Sequence, residues 1–205
     1  FTGRLPADPI GRLFTTVSYA KAIIFSKNED ALRAIDSMNA IHGSVENKRA
    51  ASIPDWAYRD VLFLLIDYSI RSYEVLERKL TAEEKDEVFQ VFNRVGFGMK
   101  IKGLPASFEA YERMRSEHMT PNLKHSHYPD DLFKQYRKHL GAVRYQILLE
   151  VQNRIAPHNV RALLGFRKVS LLNVLLGPYK LSRILKLDWM MRGLLLPNKY
   201  KRQIR

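Results

Sequence analysis

Long stretches of helical spacing separated by short polar or proline-bearing breaks make up this chain, with no sustained strand-type alternation of apolar and polar residues. The pattern predicts a first helix from Pro9 to about Ser26, with Asp8 as N-cap and Pro9 in the first turn, where a missing N–H costs nothing. Its apolar stripe is Leu13, Val17, Ala20 and Ile24. A second helix, from about Asn28 to Gly43, puts Ala31, Ile35, Met38 and His42 on one face, with glycine as its stop. The third, from about Pro54 to Leu80, has the widest apolar face, carrying Val61, Leu62, Leu64, Leu65, Ile66 and Ile70. Thr81 and Glu84 have the spacing of a capping box and open a fourth helix that reaches about Phe97. Leu104-Pro105 is expected to start a fifth, ending near His118, and Thr120–Pro129 reads as a polar loop. Asp130 or Asp131 then caps a long sixth helix that stops before Pro157, followed by short helices broken at Gly165, Gly177-Pro178 and Pro197. The fold class expected is all-α, with residues 1–205 as a single helical domain.

Composition narrows the chemistry. At 205 residues, 46% hydrophobic and 27% charged, the chain can close a globular core. Cysteine is absent, which excludes disulfides, a thiol nucleophile, cysteine-ligated zinc and iron–sulfur clusters. A bound haem could therefore be neither thiolate-ligated nor attached through C-x-x-C-H, which makes histidine the commonest of the ligands that remain. There is no P-loop, no G-x-S-x-G elbow and no H-E-x-x-H; Gly96, Gly98 and Gly103 follow a helix and lack phosphate-loop spacing.

Charge is distributed unevenly. Residues 1–119 carry 17 basic and 17 acidic side chains, whereas residues 120–205 carry 17 basic ones against only Asp130, Asp131, Glu150 and Asp188. The whole net charge of +13 thus belongs to the second part, which suits either a solubilising surface or an anionic partner. Within it, Phe166–Leu196 mixes Leu171, Leu172, Val174, Leu175, Leu176, Ile184, Leu185, Leu187, Trp189, Met190 and Met191 with Arg167, Lys168, Lys180, Arg183, Lys186 and Arg192. Its apolar side is expected to close the core, and a peripheral contact with an anionic membrane is expected ahead of nucleic acid. No apolar run approaches the ~20 residues of a membrane span, and no signal peptide is visible, so a cytoplasmic, peripherally attached protein is expected.

Two places carry candidate chemistry. His118, His125 and His127, with Asp130 and Asp131, could in principle ligate a metal, although their spacing fixes no geometry and solvated side chains are the commoner outcome. The other place is the start of the chain. Arg12 and Thr16 are four residues apart on one helix face, and His42 shares a face with Ile35 and Met38 and so turns towards the core. A core-facing imidazole needs a hydrogen-bond partner or a metal, and spacing leaves both open.

The run Asp8-Pro9-Ile10-Gly11-Arg12-Leu13-Phe14-Thr15-Thr16, followed by Ile41-His42-Gly43-Ser44-Val45, resembles the family of the latex-clearing rubber oxygenases and the oxygenase of mycophenolic acid biosynthesis. The similarity continues loosely through Asp60–Glu74, Leu104-Pro105-x-Ser107 with Tyr111, and Leu194–Pro197. It implies a globin-like helical core around a cofactor pocket holding haem b, with O2 as co-substrate and an apolar, isoprenoid- or lipid-like molecule as substrate. It also implies that His42 is the axial iron ligand and that Arg12 and Thr16 are the distal arginine and threonine. Arg12 would stabilise negative charge on oxygen or anchor a propionate, and Thr16 can both donate and accept a hydrogen bond. Thr15 stands where the rubber oxygenases have lysine, Asn47 stands where the family usually has glycine, and their glutamate upstream of the arginine would precede Phe1. These departures bear on rubber-type chemistry more than on haem binding.

Overall fold

The computed structural model describes residues 9–167 and 169–186, apart from the side chain of Leu175. The expected Asp8 cap, and Lys168, Leu187, Trp189, Met190, Met191, Arg192 and Leu194–Pro197, lie outside the described residues. Among the described residues the structure is all-α, with no strand: α1 Pro9–Ile24, α2 Asn28–Arg49, α3 Asp55–Leu76, α4 Ala82–Gly98, α5 Phe108–Asn122, α6 His127–Ile155, α7 His158–Leu163 and α8 Leu172–Ile184. They group into two compact units, one formed by residues 17–122 and the other by residues 9–16 with 123 onwards.

In the 17–122 unit, α3 supplies the centre. Leu62, Phe63, Ile66 and Ile70 are buried, and together with Phe89, Ile101 and Tyr111 they form the core. Tyr111 is its hub. Its ring packs edge-on to Phe63 with centroids 5.1 Å apart, lies 5.9 Å from Phe89 and 5.5 Å from Phe108, and its hydroxyl donates to the Phe63 carbonyl at 3.3 Å. That burial pushes the phenol pKa well up, so it stays a hydrogen-bond donor. Val61, Leu64 and Leu65, expected on the apolar face, are exposed because the packed stripe follows Leu62, Phe63, Ile66 and Ile70. Gly96 lets α4 close on this stripe: a Cβ there would meet Leu62 Cδ2 at 2.8 Å. Asp67 joins α3 to α5, accepting from Arg71 Nε at 2.8 Å and Arg115 Nη2 at 2.9 Å.

Several expected breaks are not breaks. Helix α2 runs through Gly43 to Arg49, because one helical glycine costs only about 1 kcal/mol and the chain instead stops at Ala50, in the left-handed conformation. Helix α5 begins at Phe108 and not at Leu104-Pro105, with the Ser107 hydroxyl accepting the Ala110 N–H at 3.3 Å. It continues over Pro121, and α6 already starts at His127, with Ser126 and not an aspartate at the N-cap position. Pro129 fits the first turn of α6, where N–H groups have no helical partner, so the expected Thr120–Pro129 loop shrinks to residues 123–126. Helix α6 is kinked at Gly141 (φ 73°), a conformation glycine adopts without steric cost. Helix α8 passes through Gly177-Pro178, since a glycine before proline has no Cβ to clash with the ring. In α1 the expected stripe of Leu13, Val17, Ala20 and Ile24 is exposed; Ile10 is buried and Phe14 half-buried in its place.

In the other unit α8 packs on α6. Glu150, buried on α6, anchors the approach to α8 by accepting the Ser170 hydroxyl at 3.0 Å and the Leu171 N–H at 2.7 Å.

The capping box of α4 is complete: the Thr81 hydroxyl accepts the Glu84 N–H at 3.2 Å and Glu84 accepts the Thr81 N–H at 2.9 Å. The Arg78 guanidinium, and then the Thr81 N–H, lower the Glu84 pKa to about 2. Thr81→Ala should cost about 1 kcal/mol in denaturant melts near neutral pH. A depressed carboxylate stabilises above the ordinary glutamate range and loses that contribution as pH falls towards its folded value. The gap between wild type and Glu84→Gln should therefore narrow in acid, and a gap independent of pH would contradict the part played by the Glu84 carboxylate.

Candidate functional site

His42 lies on the fourth turn of α2, half-buried, in the wall of a cleft of about 310 Å³. The cleft belongs wholly to the 17–122 unit and is lined from three segments. Helix α2 gives Asn39, His42, Gly43 and Glu46; the α2–α3 turn and the first turn of α3 give Ile53, Asp55 and Tyr58; the turn after α4 gives Met99, Lys100 and Ile101.

Hydrogen bonds hold these segments together. Glu46 Oε1 accepts the Ile53 N–H at 2.6 Å, which folds the α2–α3 turn back on α2. Asn39 Nδ2 donates to the Gly98 carbonyl at 3.2 Å, tying α2 to the end of α4. Arg59 Nη1 donates to the Lys102 carbonyl at 2.7 Å, and the Lys102 N–H reaches Asp55 Oδ1 at 3.4 Å, so α3 holds the turn after α4. Lys100 takes the left-handed conformation (φ 60°) and the Ile101 N–H returns to the Gly96 carbonyl at 3.1 Å, which brings Met99–Ile101 to the cleft.

The imidazole of His42 is not spent on the core. Its Nδ1 is buried and has no hydrogen-bond partner, a situation that ordinarily costs about 1–3 kcal/mol. Its ring packs on Tyr58, with centroids 5.3 Å apart and planes inclined by 52°. Partial burial, then the negative charges of Glu46 and Asp55, raise the Tyr58 pKa, so its phenol keeps its proton and remains a donor. A core histidine satisfied by a hydrogen bond, one of the two readings spacing left open, does not describe Nδ1.

In residue type this lining suits a haem. His42 would give such a group a nitrogen ligand, Tyr58, Ile53, Met99 and Ile101 some apolar surface, and Lys100 a cation for a carboxylate at the rim. Gly43 fits the same purpose: a Cβ there would meet nothing within 4 Å, so the helix leaves open space beside His42 where any larger side chain would protrude.

Arg12 and Thr16 are exposed on α1, one turn apart, with the Thr16 hydroxyl donating to the Arg12 carbonyl at 3.1 Å. They belong to the other compact unit from His42. The histidines at the α5–α6 connection do not converge. His118 pairs with Asp60 at 3.6 Å and stacks near Trp56, His125 approaches Asp130 at 3.8 Å, and His127 stacks on Tyr128. Among the described residues no group of three or more His, Asp or Glu side chains could hold a metal ion.

The cleft residues Glu46, Tyr58, Met99 and Lys100 escaped the sequence reading. Their one signal is the Gly96-x-Gly98 pair with Gly103, which marks a tight reversal after α4 and not a phosphate loop.

Comparison with known proteins places this chain among oxygenase catalytic domains. It belongs to the family described as ER-bound oxygenase mpaB/B′/Rubber oxygenase, catalytic domain, whose model matches residues 2–196. This is the family that the Arg12, Thr16 and His42 motifs resemble. No curated protein and no solved structure matches the chain significantly.

Open space at Gly43 makes a direct prediction. Gly43→Ala should stabilise the ligand-free protein by about 0.5–1 kcal/mol in urea melts, because alanine removes the entropic cost of a helical glycine. A destabilised variant would mean that the space is filled.

Proposed function

We propose that this chain is a haem b-dependent oxygenase that uses O2 on an apolar substrate of isoprenoid or lipid type, with His42 as the axial ligand. The observation that carries this reading is the half-buried His42 imidazole in the wall of the cleft, at the position where the chain resembles the family motif. Membership of an oxygenase family supports the use of O2. Haem, when bound, supplies the redox and oxygen chemistry that side chains lack.

The chain's own residues would do the rest. His42 holds the cofactor, and the Tyr58 ring packed on it limits rotation of the imidazole. Lys100 offers a positive charge to a propionate, and the protonated phenol of Tyr58 can donate a hydrogen bond into the cleft. Gly43 gives a flat group close access to the α2 backbone. Arg12 and Thr16 enter on the family motif: Arg12 brings a cationic fork of donors suited to developing negative charge, and Thr16 a hydroxyl that can donate or accept.

Recombinant protein supplied with haem should bind one equivalent, show a histidine-ligated Soret spectrum and consume O2 in the presence of a polyisoprenoid or unsaturated lipid. Gly43→Leu should weaken haem binding at least about tenfold, a loss near 1.4 kcal/mol, while the ligand-free melt stays as stable as wild type. Arg12→Ala should keep haem and its spectrum but slow O2-dependent product formation by roughly 10²-fold, the scale of a lost charge-stabilising donor. Failure to retain haem, or unchanged turnover in both Arg12→Ala and Thr16→Ala, would overturn the corresponding part of the reading.

A further inference from the structure

Charge is uneven in the cleft around His42. Among the described residues that line it, Glu46 and Asp55 are acids and Lys100 is the only lysine or arginine. A ligand's carboxylates are repelled beside the two acids and attracted at Lys100. The position of Lys100 therefore decides where the carboxylate end of a ligand can lie.

Two sets of bonds fix that position. The chain leaves α4 through a Schellman turn, with Lys100 in the left-handed conformation. The Lys100 N–H donates to the Phe97 carbonyl at 2.9 Å and the Ile101 N–H to the Gly96 carbonyl at 3.1 Å. Ile101 is then buried in the core. Helix α3 holds the next residue, Lys102, by both of its backbone groups. Arg59 Nη1 donates to the Lys102 carbonyl at 2.7 Å, and the Lys102 N–H donates to Asp55 Oδ1 at 3.4 Å. Gly103 makes this clasp possible: its φ is 68°, and a Cβ there would come within 2.7 Å of Arg59 Nη1. Arg59 is not itself part of the cleft lining, so its guanidinium reaches the cleft only through the turn it holds.

We propose that Arg59 is a positioning residue for the carboxylate end of the bound group, acting through the Lys102 carbonyl on the turn that carries Lys100. The proposal rests on the haem reading above and adds to it the residue that keeps the ionic contact in place. With the clasp closed, the turn is bound at both ends, and less freedom is lost when Lys100 meets a propionate. With the clasp open, the Lys100 charge is still present but its backbone is held from the α4 side alone. The ionic contact then weakens, whereas contacts of a ligand with Ile53 and Tyr58 do not depend on the clasp.

Haem and haem dimethyl ester, whose propionates carry no charge, separate the ionic contact from the rest of binding. Titrated with each in the same detergent, the ligand-free full chain should prefer haem by roughly threefold to fivefold, the scale of one exposed ion pair. Lys100→Gly should erase that preference, and glycine accepts the left-handed conformation without strain. Arg59→Ala should bring the preference close to one. Gly103→Ala removes no charge but displaces the guanidinium, and should do the same, with circular dichroism checking that each variant is folded. Adding Arg59→Ala to Lys100→Gly should lower the preference no further, because both act on one contact. A preference for haem that survives in both Arg59→Ala and Gly103→Ala would overturn the proposal. Additive losses in the double variant would contradict it too, by making Arg59 a direct contact, and equal losses for haem and ester in Arg59→Ala would leave Arg59 a structural residue only. A wild-type chain that binds neither porphyrin would instead sink the haem reading, and this proposal with it.

Discussion

Packing of α3 against α4 is the constraint on which the 17–122 unit depends. The later turns of α3 bury Leu62, Phe63, Ile66 and Ile70 around Phe89 and Tyr111, and Gly96 removes the Cβ that would keep α4 away from Leu62. Because the first turn of the same helix carries Asp55, Tyr58 and Arg59, fixing the core also fixes one wall of the cleft. Arg59 and Asp55 then capture the turn after α4 through Lys102, which delivers Met99, Lys100 and Ile101 opposite His42. A site built this way inherits its rigidity from the hydrophobic core. His42 packs on Tyr58, and its Nδ1 makes no internal hydrogen bond.

The second unit solves a different problem. Buried Glu150 stabilises the approach to α8 by accepting the Ser170 hydroxyl and the Leu171 N–H, so its carboxylate is satisfied within the unit.

Much of the fold was legible because helices announce themselves locally. The Thr81–Glu84 capping box is a short-range motif, and the structure reproduces it with both hydrogen bonds. Where the reading failed, it treated glycine and proline as stops. Gly43, Pro121 and Gly177-Pro178 each sit inside a helix, because the local penalty of about 1–3 kcal/mol is smaller than what packing of the rest of the helix returns. His42 could be singled out from its face and its motif. Its neighbours could not, since Tyr58, Met99 and Lys100 reach the cleft through a chain reversal and through bonds between residues more than forty positions apart. Period alone also misplaced the stripe of α1, where Ile10 and Phe14 make the packed side and Leu13, Val17 and Ile24 stand exposed.

The central claim is that the His42 imidazole is the axial ligand, and cavity complementation tests it most directly. His42→Ala removes the ring and enlarges a cleft that is already open, so free imidazole has room to enter. Reconstituted with haem, this variant should lack the iron–imidazole stretch in its ferrous resonance Raman spectrum and regain it when imidazole is added. A variant that keeps the wild-type iron–nitrogen signature without added imidazole would show that another residue ligates the iron, and would contradict the account.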